Sequence, residues 1–315
     1  MKHTIRPNDF FEMVNDLDPI RESFWTRYSS GLDLGYKFYD TDECFDLILE
    51  VLKRTDEDQQ QVGSIDRNEV WERGWKENLN SFLESGNDPS TLVPKFIRPN
   101  RPLRLKGKFI KGNDPWLELN FYKILRRWIC NKFFRDISSV YEFGAGTGFN
   151  LLDFADLFPN KKYIGTDFVN SAVNLIDSVG KNLQKNISGE YFDMRSPNFS
   201  YKLDPSAAVF TLGSLEQLAG EVNGFFEYLF KNNPAICVHV EPDASFYDLK
   251  NLIDYTAYRF QTKRGYTLGL SSILRDFQNE GRLKIIESRR LYFGSFLMEG
   301  YNLFVWHPIQ ERIVI

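Results

Sequence analysis

Residues 140–150 read VYEFGAGTGFN, and this stretch decides the fold. Val140, Tyr141 and Phe143 bracket one acid, Glu142, before three glycines at alternate positions, Gly144, Gly146 and Gly148. Beyond them Leu151, Leu152, Phe154, Ala155 and Phe158 recur at helical spacing. That order is a buried strand, a tight glycine turn and a helix starting over the turn. Glycine accepts left-handed backbone angles and lets a ligand approach where a Cβ would block it. A helix start adds unpaired N–H groups and a partial positive charge. Two readings fit: a loop cradling a nucleotide-type cofactor, or an ordinary strand–helix turn.

Spacing narrows the cofactor. A dinucleotide loop follows G-x-G-x-x-G. Here the third glycine comes one residue early and Phe149 stands in its place. The phosphate-binding pattern G-x-x-x-x-G-K-S/T is absent. The sequence hydrophobic–Glu–hydrophobic–G-x-G-x-G resembles motif I of class I S-adenosylmethionine-dependent methyltransferases of the small-molecule type. The resemblance implies S-adenosyl-L-methionine as cofactor and an α/β, Rossmann-like, doubly wound sheet of seven strands. The family order is 3-2-1-4-5-7-6 with strand 7 antiparallel.

Downstream residues fit that topology. Strand-like runs at 162–167, 189–193, 207–212 and 235–241 alternate with helical stretches, the pattern of a parallel sheet. Runs 283–293 and 301–306 are joined too closely for a parallel crossover, so they must pair antiparallel. Asp114-Pro115 reads as an N-cap and first helical position for a helix over 116–133.

Residues 1–95 read as a helical N-terminal region, placed as a cap on the substrate side. Phe10, Phe11, Val14 and Leu17 share one helical face; Cys44–Leu52 form a second helix. A third opens near Ser64–Arg67, carries Val70, Trp71, Trp75, Leu79 and Phe82, and stops at Gly86. Core packing is the plainer reading of the two tryptophans, a substrate platform the sharper one. Residues 96–113 form a basic linker, part of a stretch holding Lys95, Arg98, Arg101, Arg104, Lys106, Lys108 and Lys111. It is a solvated connector or an electropositive rim for an anionic substrate. The methyltransferase domain then spans 114–315, with an aromatic insert at 245–281.

Composition sets outer limits. The 315 residues carry 42% hydrophobic and 16% aromatic residues, enough for a sizeable core. The formal net charge of −4 provides no global footprint for nucleic acid. Cys44, Cys130 and Cys237 are scattered, which argues against a disulfide framework or a metal site. No apolar run nears spanning length and the start lacks an apolar signal core, so a soluble, cytoplasmic protein is expected. A homodimer is left open.

In open α/β sheets, ligands sit beyond the carboxyl ends of the strands. The resemblance carries cofactor binding onto Glu142, Gly144, Ala145, Gly146, Thr147 and Gly148 after strand 1. It does the same for Asp167 and Phe168 after strand 2, Asp193 and Met194 after strand 3, and Leu212 and Ser214 after strand 4. Asp167 would hold ribose hydroxyls, or else cap the next helix; Ser214 could likewise be a cap. Catalytic candidates are Glu216, His239, Glu241 and Asp243; His239 reads equally as a bonded core histidine. Tyr258, Arg259 and Tyr266 in the insert are candidate substrate contacts. The expected activity is methyl transfer to a small or medium-sized acceptor, O-directed rather than N-directed. The rivals are a non-catalytic cofactor-binding or assembly protein and an RNA methyltransferase using residues 95–111.

Overall fold

Alternating apolar runs and helical stretches build two sheets, a large one and a small one. The structure is a computed structural model and describes residues 2–19, 21–62 and 67–309. Ser64, Ile65 and Asp66, where a helix start was expected, lie outside the described residues, as does the 310–315 end of the expected domain. The first part of the chain runs β1 (His3–Thr4), α1 (Pro7–Met13), α2 (Arg21–Ser29), β2 (Gly35–Phe38), α3 (Thr41–Glu57), α4 (Arg67–Glu84), β3 (Leu103–Leu105) and β4 (Lys108–Gly112). It continues with α5 (Leu117–Phe133), β5 (Ser139–Phe143), α6 (Phe149–Leu157), β6 (Lys162–Asp167), α7 (Asn170–Asn182), β7 (Ile187–Tyr191) and β8 (Ala208–Leu212). The last part is α8 (Asn223–Asn232), β9 (Ile236–Glu241), α9 (Leu252–Arg264), α10 (Leu270–Asn279), β10 (Leu283–Arg289), β11 (Phe293–Gly294) and β12 (Asn302–Pro308).

The large sheet has the order β7-β6-β5-β8-β9-β12-β10. Its first five strands are mutually parallel, and β12 is antiparallel to both β9 and β10. Numbered along the sheet, this is the expected order 3-2-1-4-5-7-6. All five residues of β5 are buried, because a parallel strand has helices on both faces. Its side chains alternate between two cores. Val140 joins Phe154, Tyr163 and Phe210; Tyr141 and Phe143 join Ile164, Val209 and Phe225.

Two boundaries differ from the sequence reading. Helix α5 begins at Leu117, not at Asp114-Pro115. The Asp114 carboxylate is used one step earlier, accepting from the Trp116 N–H at 2.7 Å. Strand β7 spans Ile187–Tyr191 instead of 189–193, so Asp193 stands just past its end, beside Met194.

The small sheet was not foreseen. Its order is β1-β2-β4-β3-β11, so it joins the N-terminal region to a segment near the far end of the chain. The 96–113 stretch, read as a linker, contains the β3–β4 hairpin. Lys106 and Gly107 both take positive φ, +50° and +71°, as a two-residue turn of the primed type requires. Arg104 is buried. It donates to Phe296 O at 3.0 Å and Thr256 Oγ1 at 2.9 Å and also to Ile253 O, tying β3 to α9 and to the 295–298 segment. Burial brings the Arg104 guanidinium down to about 10.

Candidate functional site

The carboxyl ends of β5, β6, β7 and β8 open on one cavity of about 940 Å³. Its floor is the glycine loop. Gly144 and Gly146 have φ of +71° and +55°, a region an L side chain rarely adopts. A Cβ on Gly144 would lie 2.5 Å from Ser214 Cβ, and one on Gly146 would lie 2.9 Å from the Trp75 ring. The glycines therefore serve both backbone angle and close approach. Gly148 does something else: it stands at the start of α6 against Ile176 and does not line the cavity.

Two acids face this loop. Glu142, 1% exposed, accepts from Asn150 Nδ2 at 2.5 Å through Oε1. Its Oε2 is buried with no hydrogen-bond partner among the described residues. Burial pushes the carboxyl up to about 8. Such an atom in a cavity wall is a vacancy for a cationic or N–H donor. Asp167 accepts from the Gly146 N–H at 3.1 Å and the Val169 N–H at 3.3 Å. Burial pushes it to about 6, the backbone bonds pulling the other way. Asp167 thus braces the glycine loop as well as lining the cavity.

Phe168, Asp193, Met194, Leu212 and Ser214 also line the cavity. Asp193 takes Arg195 in a two-pronged ion pair, with N–O distances of 3.0 Å on each oxygen. The same guanidinium lies 4.8 Å from the Phe168 ring centre. Ser214 is no helix cap: its hydroxyl donates to Phe143 O at 2.9 Å. Ala145 and Thr147 line the wall too, although the Thr147 hydroxyl is committed to Leu92 O at 2.7 Å.

The catalytic candidates separate. Glu216 reaches the cavity, with a buried Oε2 that has no hydrogen-bond partner among the described residues. Glu241 lies behind it, accepting from Thr211 Oγ1 at 2.7 Å and from the Ser214 and Glu216 N–H groups. Burial raises both carboxyls, and Glu241's charge raises Glu216 further. His239 is enclosed beside Phe226 and Trp306 and makes a 2.9 Å bond with Thr211 Oγ1. Burial brings it down to about 3, so it stays neutral, the core-histidine reading. Asp243 is away from the cavity, with both oxygens taken by backbone N–H groups, Ser245 at 2.8 Å and Ser271 at 2.7 Å.

The insert was read one turn-phase off. Tyr258 packs near Tyr247, and Arg259 pairs with Asp56 at the surface. Phe260 and Arg264 are the residues of α9 that line the cavity. Four residues apart, they share a helical face that 258 and 259 do not. Tyr266 lines the cavity as expected.

No family model matches the chain, and no curated protein matches it in sequence. Solved structures do resemble it. The cyclase SpnF is 11% identical with a TM-score of 0.47, over 61% of this chain and 82% of SpnF. A SAM-dependent methyltransferase from Aquifex aeolicus is 14% identical with a TM-score of 0.42, over 59% and 89%. Human N-acetylserotonin methyltransferase is 10% identical with a TM-score of 0.45, over 92% and 71%. The strand order of the large sheet, with its one reversed strand, is the order expected from the sequence resemblance.

The roof was mostly missed. Trp71 and Trp75, with core packing as the plainer reading and a platform as the sharper, stack at 5.6 Å and line the cavity. Helix α4 is held there by Glu72, which receives the Ser171 hydroxyl and N–H at 2.8 and 3.2 Å. Glu118 was overlooked on α5. It is 4% exposed, accepts from the Tyr301 hydroxyl at 3.0 Å, and burial pushes it to about 7. The available signal was an acid in phase with the buried residues Tyr122 and Leu125.

Proposed function

We propose that this protein is an S-adenosylmethionine-dependent methyltransferase acting on a small or medium-sized acceptor, O-directed rather than N-directed. One observation carries the reading. Residues from four separate strand ends, Glu142, Asp167, Asp193 and Ser214, converge with the glycine loop on a single cavity. Fold alone does not name a reaction; the donor set is what supports this one. The unpartnered Glu142 Oε2 suits a cofactor's ammonium group. Gly144 and Gly146 let Ser214 and Trp75 close in against the loop, which narrows the cavity around a bound cofactor, and the buried Asp167 suits a pair of hydroxyls.

When bound, the cofactor's sulfonium supplies an electrophilic methyl group. The protein's part is alignment and exclusion of water. Trp71 and Trp75 cover the loop, and Phe168 and Met194 line the same floor. Glu216 is the group placed to receive the proton of an acceptor hydroxyl at Oε2. Glu241 does not reach the acceptor. Burial raises the proton affinity of Glu216, and Glu241 raises it further by like charge and a hydrogen bond at short range. Such a pair favours holding one proton, so the rate is expected to rise with pH as that proton leaves.

The test is to incubate the protein with S-adenosylmethionine labelled on its methyl carbon and an extract of cell metabolites. Label in a low-mass product is the expected result. Cofactor binding without any labelled product would favour the non-catalytic reading. Label in RNA alone would overturn the small-acceptor reading.

A further inference from the structure

Beyond Glu118 lies a small recess walled by Arg98, Arg101, Lys111, Asp114 and the first turn of α5. Arg98, Arg101 and Glu118 belong to the walls of both cavity and recess. Most cations around the main cavity are already matched. Arg54 pairs with Glu50, Lys95 with Glu77, Arg195 with Asp193 and Arg264 with Asp58. Arg98, Arg101 and Lys111 have no carboxylate partner among the described residues. Arg98 makes one bond, to the Lys95 carbonyl at 3.2 Å.

The two acids nearby offset only part of this charge. Asp114 is engaged by the Trp116 N–H and by Asn120 Nδ2 at 2.7 and 3.2 Å. Glu118 is buried and bonded to Tyr301, and burial disfavours its charged form. Three cations against the one full charge of Asp114 leave the recess net positive, which favours an anion there. None of the glycine-loop residues and none of Glu142, Asp167 and Asp193 lines the recess. An anion held there is remote from the loop proposed for the cofactor.

We infer that the recess is an anion subsite and that the acceptor is an amphipathic anion. Its carboxylate or phosphate lies at Arg98 and Arg101, and its apolar body lies against Trp71, Phe96 and Phe149 in the main cavity. This rests on the methyltransferase reading for the word acceptor; the anion subsite itself does not.

Two probes with the same ring and different charge, naphthoate and naphthol, test it by calorimetry on protein saturated with S-adenosylhomocysteine. Naphthoate is expected to bind at least about fivefold more tightly, with a preference that shrinks as salt is added. The double variant Arg98→Gln, Arg101→Gln should lose the preference and keep its affinity for S-adenosylhomocysteine. Arg101→Gln alone serves if the double variant does not fold, and should reduce the preference. Equal affinity for the two probes, or no binding of naphthoate, overturns the inference. So does a fall in S-adenosylhomocysteine affinity in the variants, which would assign the arginines to the cofactor's own carboxylate. If native protein binds no S-adenosylhomocysteine, the proposed function fails instead. The same probe comparison on protein without it then judges the subsite separately.

Discussion

The floor and the roof of the cavity are made in opposite ways. The floor is backbone: the loop Gly144–Thr147, fixed by its own angles and by one carboxylate behind it. The roof is side chains brought from afar: Trp71 and Trp75 from α4, Phe260 and Arg264 from α9, and Phe296–Met298 before β12. A floor of this kind tolerates almost no change of shape. A roof of this kind can be rebuilt without disturbing the sheet; on the proposed function, one cofactor site would then serve different acceptors.

Changes on the floor should therefore cost most. Gly144→Val adds a branched side chain at φ +71° with its Cβ 2.5 Å from Ser214. Left-handed strain and overpacking together predict a loss of roughly 2–6 kcal/mol, read by denaturant unfolding. An unchanged midpoint would show that the floor is as yielding as the roof.

Next in size is a pH effect. Glu142 is raised in the folded protein from 4.5 to about 8. Its contribution is present in full below pH 4.5 and is lost as pH rises towards about 8. The loss at pH 7 is on the order of 3 kcal/mol for so buried a group. Glu142→Gln should flatten the decline in thermal midpoint between pH 5 and pH 8. A decline of equal slope in the variant would mean that other groups cause it.

On the roof the effects should be smaller. Trp75→Ala should cost about 1 kcal/mol of stability, since the ring is only half buried. Affinity for S-adenosylhomocysteine should fall between about threefold and tenfold. A loss as large as the Gly144→Val effect would erase the distinction between the two surfaces. Smallest of all is Arg259→Ala. Its pair with Asp56 is exposed, so a change within about 0.5 kcal/mol is expected, with no change in ligand affinity.

The same contrast explains what could be read from the chain alone. The floor was legible because the glycine spacing is local in sequence and each acid stands at the end of its own strand-like run. The parallel sheet and its closing reversed strand were legible because short apolar runs alternate with helices until a final pair joined too closely for a crossover; the strand order followed from the resemblance carried by the glycine loop. The roof was not, because Trp71 reads identically whether it faces a core or a cavity. Asp243 looked like a site acid by its place after β9, yet its oxygens go to the Ser245 and Ser271 N–H groups. Ser271 is 28 residues away, and nothing local announces that contact. The β3–β4 hairpin hid in a basic, proline-broken stretch. Its clue was Lys106-Gly107 between two short apolar–basic runs.

The central claim is that the glycine loop and Asp167 form a cofactor site. Titration calorimetry of native protein and Asp167→Ala with S-adenosylhomocysteine tests it most directly. The account predicts one-to-one binding to native protein and a loss of roughly tenfold to a hundredfold in the variant, the worth of charge-assisted hydrogen bonds. No heat of binding from folded native protein, or equal affinity in the two, would contradict it.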